Sequence, residues 1–166
     1  MTTYHAGNPP PDDVLQRFLI ESLGIEGIHR EPTVEEMDAT RTFMCLFSIN
    51  LEALVVLQAV YAPGMPLRSQ PGMNVRVGRH MPPLGGPVIK KTLNRILDDM
   101  AWSKKDAYQT HIAFETLHPF LDGNGRTGRA LWAWQMNAAG HNAFALPFLH
   151  RFYYQALEHS DGRRLA

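Results

Sequence analysis

A chain of 166 residues with 45% apolar content can bury about two-thirds of its unfolded surface as one globular domain, with no disulfide or structural metal. Sixteen basic residues against sixteen acidic ones give a formal charge of zero, which removes the overall footprint that nucleic acid or an anionic membrane selects. The single cysteine, Cys45, excludes an intrachain disulfide and reads within F-M-C-L-F as a small core hydrophobe. The opening M-T-T-Y-H-A-G-N-P-P-P-D-D lacks the basic and apolar regions of a secretory signal, and the longest apolar stretch, 43 to 62, is interrupted by Asn50, Glu52 and Gln58. A reducing cytoplasm is the expected compartment, and delivery into another cell stays compatible with it.

In chain order, residues 1–12 read as a flexible N-terminal segment. Within 13–30, Leu15, Phe18, Leu19 and Ser22 recur at helical spacing behind acidic residues that suit a helix N-terminus. The core is expected over 31–166. Pro32-Thr33 followed by Glu36 is a capping-box pattern, and it predicts one long helix reaching about Tyr61, ended by A-P-G-M-P. Between about 67 and 87 the texture changes to M-N-V-R-V among many glycines and prolines, which predicts a short β-hairpin. Val88, Ile89, Leu93, Ile96, Leu97 and Met100 trace one apolar helical face, and Ala107, His111, Phe114 and Leu117 trace the next. A helix from about Arg126 to Ala139, stopped by Gly140, and a last one near 146 to 159 complete a mostly α, single-domain expectation.

The residues that carry chemistry are in H-P-F-L-D-G-N-G-R-T-G-R, 118 to 129. Pro119 disfavours helical geometry at His118, so the helix ends there and leaves an imidazole at a loop rim, available for proton transfer. Gly123, Asn124 and Gly125 tolerate positive φ and predict an anion-binding nest of backbone N–H groups beside a helix N-terminus. Arg126 and Arg129 follow in the first turn as planar phosphate ligands, and Asp122 is a hard oxygen ligand suited to Mg²⁺. Phe120 is expected in the core as the loop's anchor. A calcium loop opening on D-G-N-G is excluded, because its fifth position would be Arg126 and its twelfth Ala133. His111 reads as a buried, hydrogen-bonded histidine, and Trp132 and Trp134 as core.

These twelve residues resemble the signature of the Fic family, H-P-F-x-D/E-G-N-G-R-x-x-R, at every defined position, and A-Y-Q-T-H-I-A-F-E-T-L before them and G-R-H-M-P-P-L-G-G-P-V-I upstream are similar to the same family. The resemblance covers roughly 15 to 160. It implies a helical fold and transfer of AMP from ATP to a Ser, Thr or Tyr hydroxyl of a target protein. His118 would then be the general base, and Asp122 would hold Mg²⁺. Gly123, Asn124 and Gly125 would form the anion hole, and Arg126 and Arg129 would bind phosphates. It also implies a flap that docks an extended target segment, here Met73, Asn74, Val75, Arg76, Val77 and Gly78 within 73 to 80. Tyr153 and Tyr154 resemble the aromatic pair that approaches adenine in the family's last helix. Finally, S-L-G-I-E-G, with Ser22, Glu26 and Gly27, resembles the inhibitory helix of self-restrained members, in which Glu26 would form a bidentate pair with Arg129 and exclude the γ-phosphate. AMP removal, a Fic-type kinase and a nucleotide-binding module without turnover stay open as alternatives. The partners expected are ATP and a target protein, without nucleic acid or membrane, and a homodimer is among the assemblies allowed.

Overall fold

The computed structural model describes residues 9–102 and 106–145. Six α-helices follow one another: α1 (Asp12–Ile25), α2 (Val34–Met44), α3 (Leu51–Tyr61), α4 (Pro87–Trp102), α5 (Ala107–Leu117) and α6 (Asn124–Ala138), with a single 3₁₀ turn at Ala143–Ala145. The last helix expected near 146 to 159, and with it Tyr153 and Tyr154, lie outside the described residues.

α5 and α6 pack together at the centre, with α4 against α5 and with α1 and α3 against α6. Their shared core contains Leu15, Leu54, Ile89, Leu93, Phe114, Phe120, Ala130 and Leu131, all fully or almost fully buried. Each leucine, isoleucine or phenylalanine among them contributes about 1.5 to 3 kcal/mol on burial. Of the face anticipated on α4, Ile89, Leu93, Ile96, Leu97 and Met100 are buried, whereas Val88 is 53% exposed. No helix among the described residues is long and apolar enough to cross a membrane.

Two expectations change. The long helix from Thr33 to Tyr61 is two helices. Its capping box forms as anticipated, with Thr33 accepting from the Glu36 N–H and the Glu36 carboxylate accepting from the Thr33 N–H. The helix then stops at Met44, because Asn50 is extended and caps a new one by accepting from the Ala53 N–H at 2.9 Å. The β-hairpin is also reduced, to one bridge between Val77 and His80 around Gly78, whose φ is +56°. Side chains satisfy the backbone that a ladder would have used. Arg68 donates to the Met73 and Pro83 carbonyls, and Asn74 accepts from the Gly85 N–H. Pro71, Pro82 and Pro83 have no N–H to contribute. Gly85 is needed here for space, since a Cβ would lie 2.5 Å from the Met73 carbonyl oxygen.

Candidate active site

The loop between α5 and α6 is held by buried polar side chains from three directions. Asn124 turns back on it, accepting from the Phe120 N–H at 2.8 Å and donating to the Phe120 carbonyl at 2.9 Å. Gln58 of α3 donates to the carbonyls of Met65 and Asp122. Arg68, fully buried, donates to the carbonyls of His118 and Leu117 at 2.7 and 2.9 Å while also gripping the flap. A single antiparallel bridge, Leu67 to Phe120, completes the clamp, and Phe120 is buried as expected. Arg68 thus connects flap and loop through four carbonyls. Arg68→Lys keeps the charge but loses the planar fork, and we expect it to lower unfolding stability by about 2 kcal/mol in urea denaturation. An unchanged midpoint would contradict the clamp.

His118 caps α5 in the left-handed region, with φ 48° and ψ 63°, and it is the one non-glycine residue at positive φ among those described. Such a conformation costs about 1 kcal/mol and is kept where surroundings over-determine it, which Arg68 does by binding the carbonyl. Burial, then the Arg68 guanidinium, push the imidazole down to about 4, against a hydrogen bond with the Glu115 backbone that acts in the other direction. The ring's Nδ1 lies 3.9 Å from Glu115 Oε2. Burial raises the Glu115 carboxyl to about 7, and its Oε1 has no hydrogen-bond partner among the described residues. His80, at the end of the flap turn, bonds the Thr116 carbonyl at 2.9 Å and so sets the flap beside His118.

The nest is replaced by a helix N-terminus. Gly123 alone has positive φ, at +77°, and caps α6, so Asn124 and Gly125 are already helical. The Gly123 N–H is taken by Asp122 Oδ1 at 2.6 Å. The first intrahelical bond runs from the Thr127 N–H to the Gly123 carbonyl, so Asn124, Gly125 and Arg126 present the donors that helix geometry leaves over. Asp122 is exposed, with Oδ2 3.9 Å from Arg126 Nη2. Among the described residues no group of three His, Cys, Asp or Glu is arranged to hold a metal. Asp122 is a single exposed carboxylate, so a Mg²⁺ held there would need water and substrate oxygens to complete its coordination.

Arg126 and Arg129 diverge. Each reaches the C-terminal end of another helix, where carbonyls lack partners and cations are favoured. Arg126 Nη1 donates to the Tyr61 carbonyl, the last of α3. Arg129 donates from Nη2 to the Ser22 carbonyl of α1 at 2.9 Å and from Nε to Ser22 Oγ at 2.8 Å. Its Nη2 also meets Glu26 Oε1 at 2.6 Å. The contact with Glu26 therefore runs through Nη2 rather than as a fork-to-fork pair, because Ser22 takes the Nε edge. Glu26 is the C-cap of α1, and Gly27, at φ +73°, lets Ile28 N–H bond the Leu23 carbonyl and Gly27 N–H bond the Gly24 carbonyl, the two bonds of a Schellman stop. The serine, glutamate and glycine are one device: a side chain for Arg129, a carboxylate at the helix end and the residue that ends the helix.

That carboxylate sits over the first turn of α6. A Cβ placed on Gly125 would lie 2.2 Å from Glu26 Oε1 and 3.0 Å from Arg129 Nη1.

Of the flap residues anticipated, Met73 and Val75 are half-buried and Asn74, Arg76, Val77 and Gly78 are exposed. His111 is buried with Nδ1 3.1 Å from the Gly128 carbonyl, and Trp134 is buried with its N–H on the Leu46 carbonyl. Arg68, Gln58 and Glu115 were not picked out from the sequence. Gln58 did carry a signal, a lone amide in an otherwise apolar helix.

Residues 56–136 match the model of the Fic/DOC family. The match runs from the second half of α3 through the flap, α4, α5 and the loop into α6, and it supports a Fic domain over that stretch. α1 and α2, including Ser22 and Glu26, lie outside it.

Proposed function

We propose, from a Fic domain over residues 56–136 as premise, that this chain is a protein adenylyltransferase restrained in cis by Glu26. Fic proteins are in general associated with AMP transfer or related nucleotidyl transfer to protein targets, and the motif residues of this chain support the AMP-transferring form. The acceptor is a Ser, Thr or Tyr hydroxyl of a target protein, and the setting is the cytoplasm.

In this reading Nδ1 of His118 is turned toward Glu115 and the neutral ring's lone pair is on Nε2. Nε2 takes the hydroxyl proton as that oxygen forms a bond to the α-phosphorus of ATP. The bond from the α-phosphorus to the bridging oxygen breaks, and pyrophosphate leaves. The N–H donors of Asn124, Gly125 and Arg126 hold the α- and β-phosphates against the positive end of α6, where preorganised donors act without reorganisation. Asp122 would hold Mg²⁺, which would supply charge neutralisation to the nucleotide. Arg129, once released, takes the γ-phosphate.

The observation that carries the restraint is the Glu26 carboxylate, bonded to Arg129 at 2.6 Å and set over Gly125. ATP must compete with a tethered anion for the same guanidinium. The test is intact-mass spectrometry of target protein after incubation with ATP, Mg²⁺ and the Glu26→Gly chain. An added AMP supports the reading, and an added phosphate instead reassigns the chain to a kinase. A second reading, AMP removal, draws on the partial exposure of Glu26, 37% at its side chain, which would let it position a water. It predicts AMP release from a modified target by the parent but not by Glu26→Gly.

The imidazole at about 4 gives a pH prediction. A base with a depressed value stays neutral until pH falls through that value, so transfer by Glu26→Gly should hold from pH 8 to 5 and decline only near 4. A free histidine, at about 6.5, would be only about one-tenth neutral at pH 5.5. An acid limb centred near 6.5 in labelled-ATP assays would contradict burial as the cause.

A further inference from the structure

The zero net charge hides a sharp partition. Residues 1–52 hold nine acidic and three basic residues, 53–97 hold no acidic and six basic residues, and 98–166 hold seven of each. The acid-free stretch contains the whole flap and the first two-thirds of α4.

Of its six bases, Arg68 is buried and engaged by carbonyls. The other five, Arg76, Arg79, Lys90, Lys91 and Arg95, are exposed, and none forms an ion pair among the described residues. The N-terminal part is built differently. There Arg17 pairs with Asp13, Arg30 with Glu36, and Arg41 with both Asp12 and Asp38. Lys90 and Lys91 are also misplaced for helix stability, because they follow at once on the first turn of α4, where the helix dipole disfavours cations. Folding does not explain them. They line a cavity of about 420 Å³ with Ser69, Pro87 and Asn94, at the foot of the flap. Along the flap, Met73 and Val75 are half-buried while Asn74 and Arg76 are exposed, the alternation of a strand edge with no neighbouring strand among the described residues.

We propose that the protein segment docked along residues 73–78 is acidic, with carboxylates on the residues flanking its acceptor hydroxyl that meet Arg76, Arg79, Lys90 and Lys91. This rests on the reading of the flap as the target-docking edge. Backbone pairing at Val75 and Arg76, whose N–H groups are left over when those of Met73, Asn74 and Val77 bond locally, accepts any extended chain, and the bases select among such chains by charge. A protein ligand is favoured over nucleic acid because the acid-rich N-terminal part, with Glu26 at the site itself, opposes a long polyanion, while a short acidic segment meets only the basic face.

The test uses the full Glu26→Gly chain and three fluorescein-labelled twelve-residue peptides around one tyrosine, bearing glutamates, glutamines or lysines at alternate positions. Fluorescence anisotropy reads binding without requiring transfer, so it stays interpretable if no AMP is transferred. The glutamate peptide should bind about tenfold tighter than the glutamine one at low salt, and the gap should close to about twofold near 0.5 M salt. Arg79→Glu/Lys90→Glu/Lys91→Glu should reverse the order and favour the lysine peptide. Lys90→Gln/Lys91→Gln, which removes charge without adding repulsion, should give an intermediate loss. Equal binding of the three peptides would overturn the proposal, as would a charge-reversed variant that leaves their order unchanged. Single-stranded DNA of matched charge binding as tightly as the glutamate peptide, with the same response to the variants, would also overturn it and assign the face to nucleic acid.

Discussion

His118→Ala in the Glu26→Gly background is expected to cut AMP transfer by about 10²- to 10⁴-fold, the usual contribution of a positioned general base. The imidazole is held by its backbone, since Arg68 grips the His118 carbonyl and the α5 cap ends in the left-handed region. Under the proposed roles, removing the ring takes away the proton acceptor and leaves the N-terminal end of α6 intact. Nucleotide affinity should stay within about twofold of the parent background, separating base loss from site collapse. Alanine at φ 48° keeps the strain that histidine already bears, and His118→Asn, whose side chain suits that region, is the matched control. Both variants should be equally inactive. Transfer retained in either would remove the general-base role.

The next largest effect is expected from Glu26→Gly alone, a gain of about 30- to 150-fold in transfer, equivalent to about 2 to 3 kcal/mol of productive nucleotide binding. The proposed restraint is electrostatic and steric together. Glu26 Oε1 bonds Arg129 Nη2 and lies 2.2 Å from where a Cβ on Gly125 would be, and in the proposed reading the γ-phosphate would have to displace that carboxylate from the guanidinium. Ser22 is expected to remain in place, because its carbonyl and Oγ hold Arg129 independently of Glu26. Glycine is tolerated at the C-cap of α1, so the gain should come without a large change in thermal stability. Glu26→Gln keeps the shape and a hydrogen-bond acceptor but loses the charge, and it should fall between parent and glycine. A glutamine variant as active as the glycine one would assign the restraint to charge alone.

Much of this was legible from local pattern. The apolar faces of α4 and α5 follow helical periodicity, Thr33 and Glu36 announced a cap, and Pro119 marked the end of α5. The cluster at 118 to 129 was legible because its chemistry is contiguous in the chain. The break between α2 and α3 was missed because apolar residues continue across it, and the Asn50 cap is a weaker signal than Leu46, Phe47 and Ile49 around it. The clamps were missed for another reason. Arg68 and Gln58 act on backbone carbonyls about 50 and 64 residues away, and a carbonyl leaves no trace in a sequence. The flap failed as a hairpin for the same cause, since Arg68 draws its carbonyls inward. The anion nest became a helix end because Asn124 spends its side chain on Phe120 instead of on an open loop.

The proposed function rests on Glu26 holding back an AMP transferase whose base is His118. The measurement that meets it most directly incubates parent, Glu26→Gly and Glu26→Gly/His118→Ala with Mg²⁺, ATP labelled on the α-phosphate and host-cell lysate. Label on protein with Glu26→Gly, and at least about 30-fold less with the other two, is the predicted result. Equal label with parent and Glu26→Gly would contradict the restraint, and label that appears only from γ-labelled ATP would contradict AMP transfer itself.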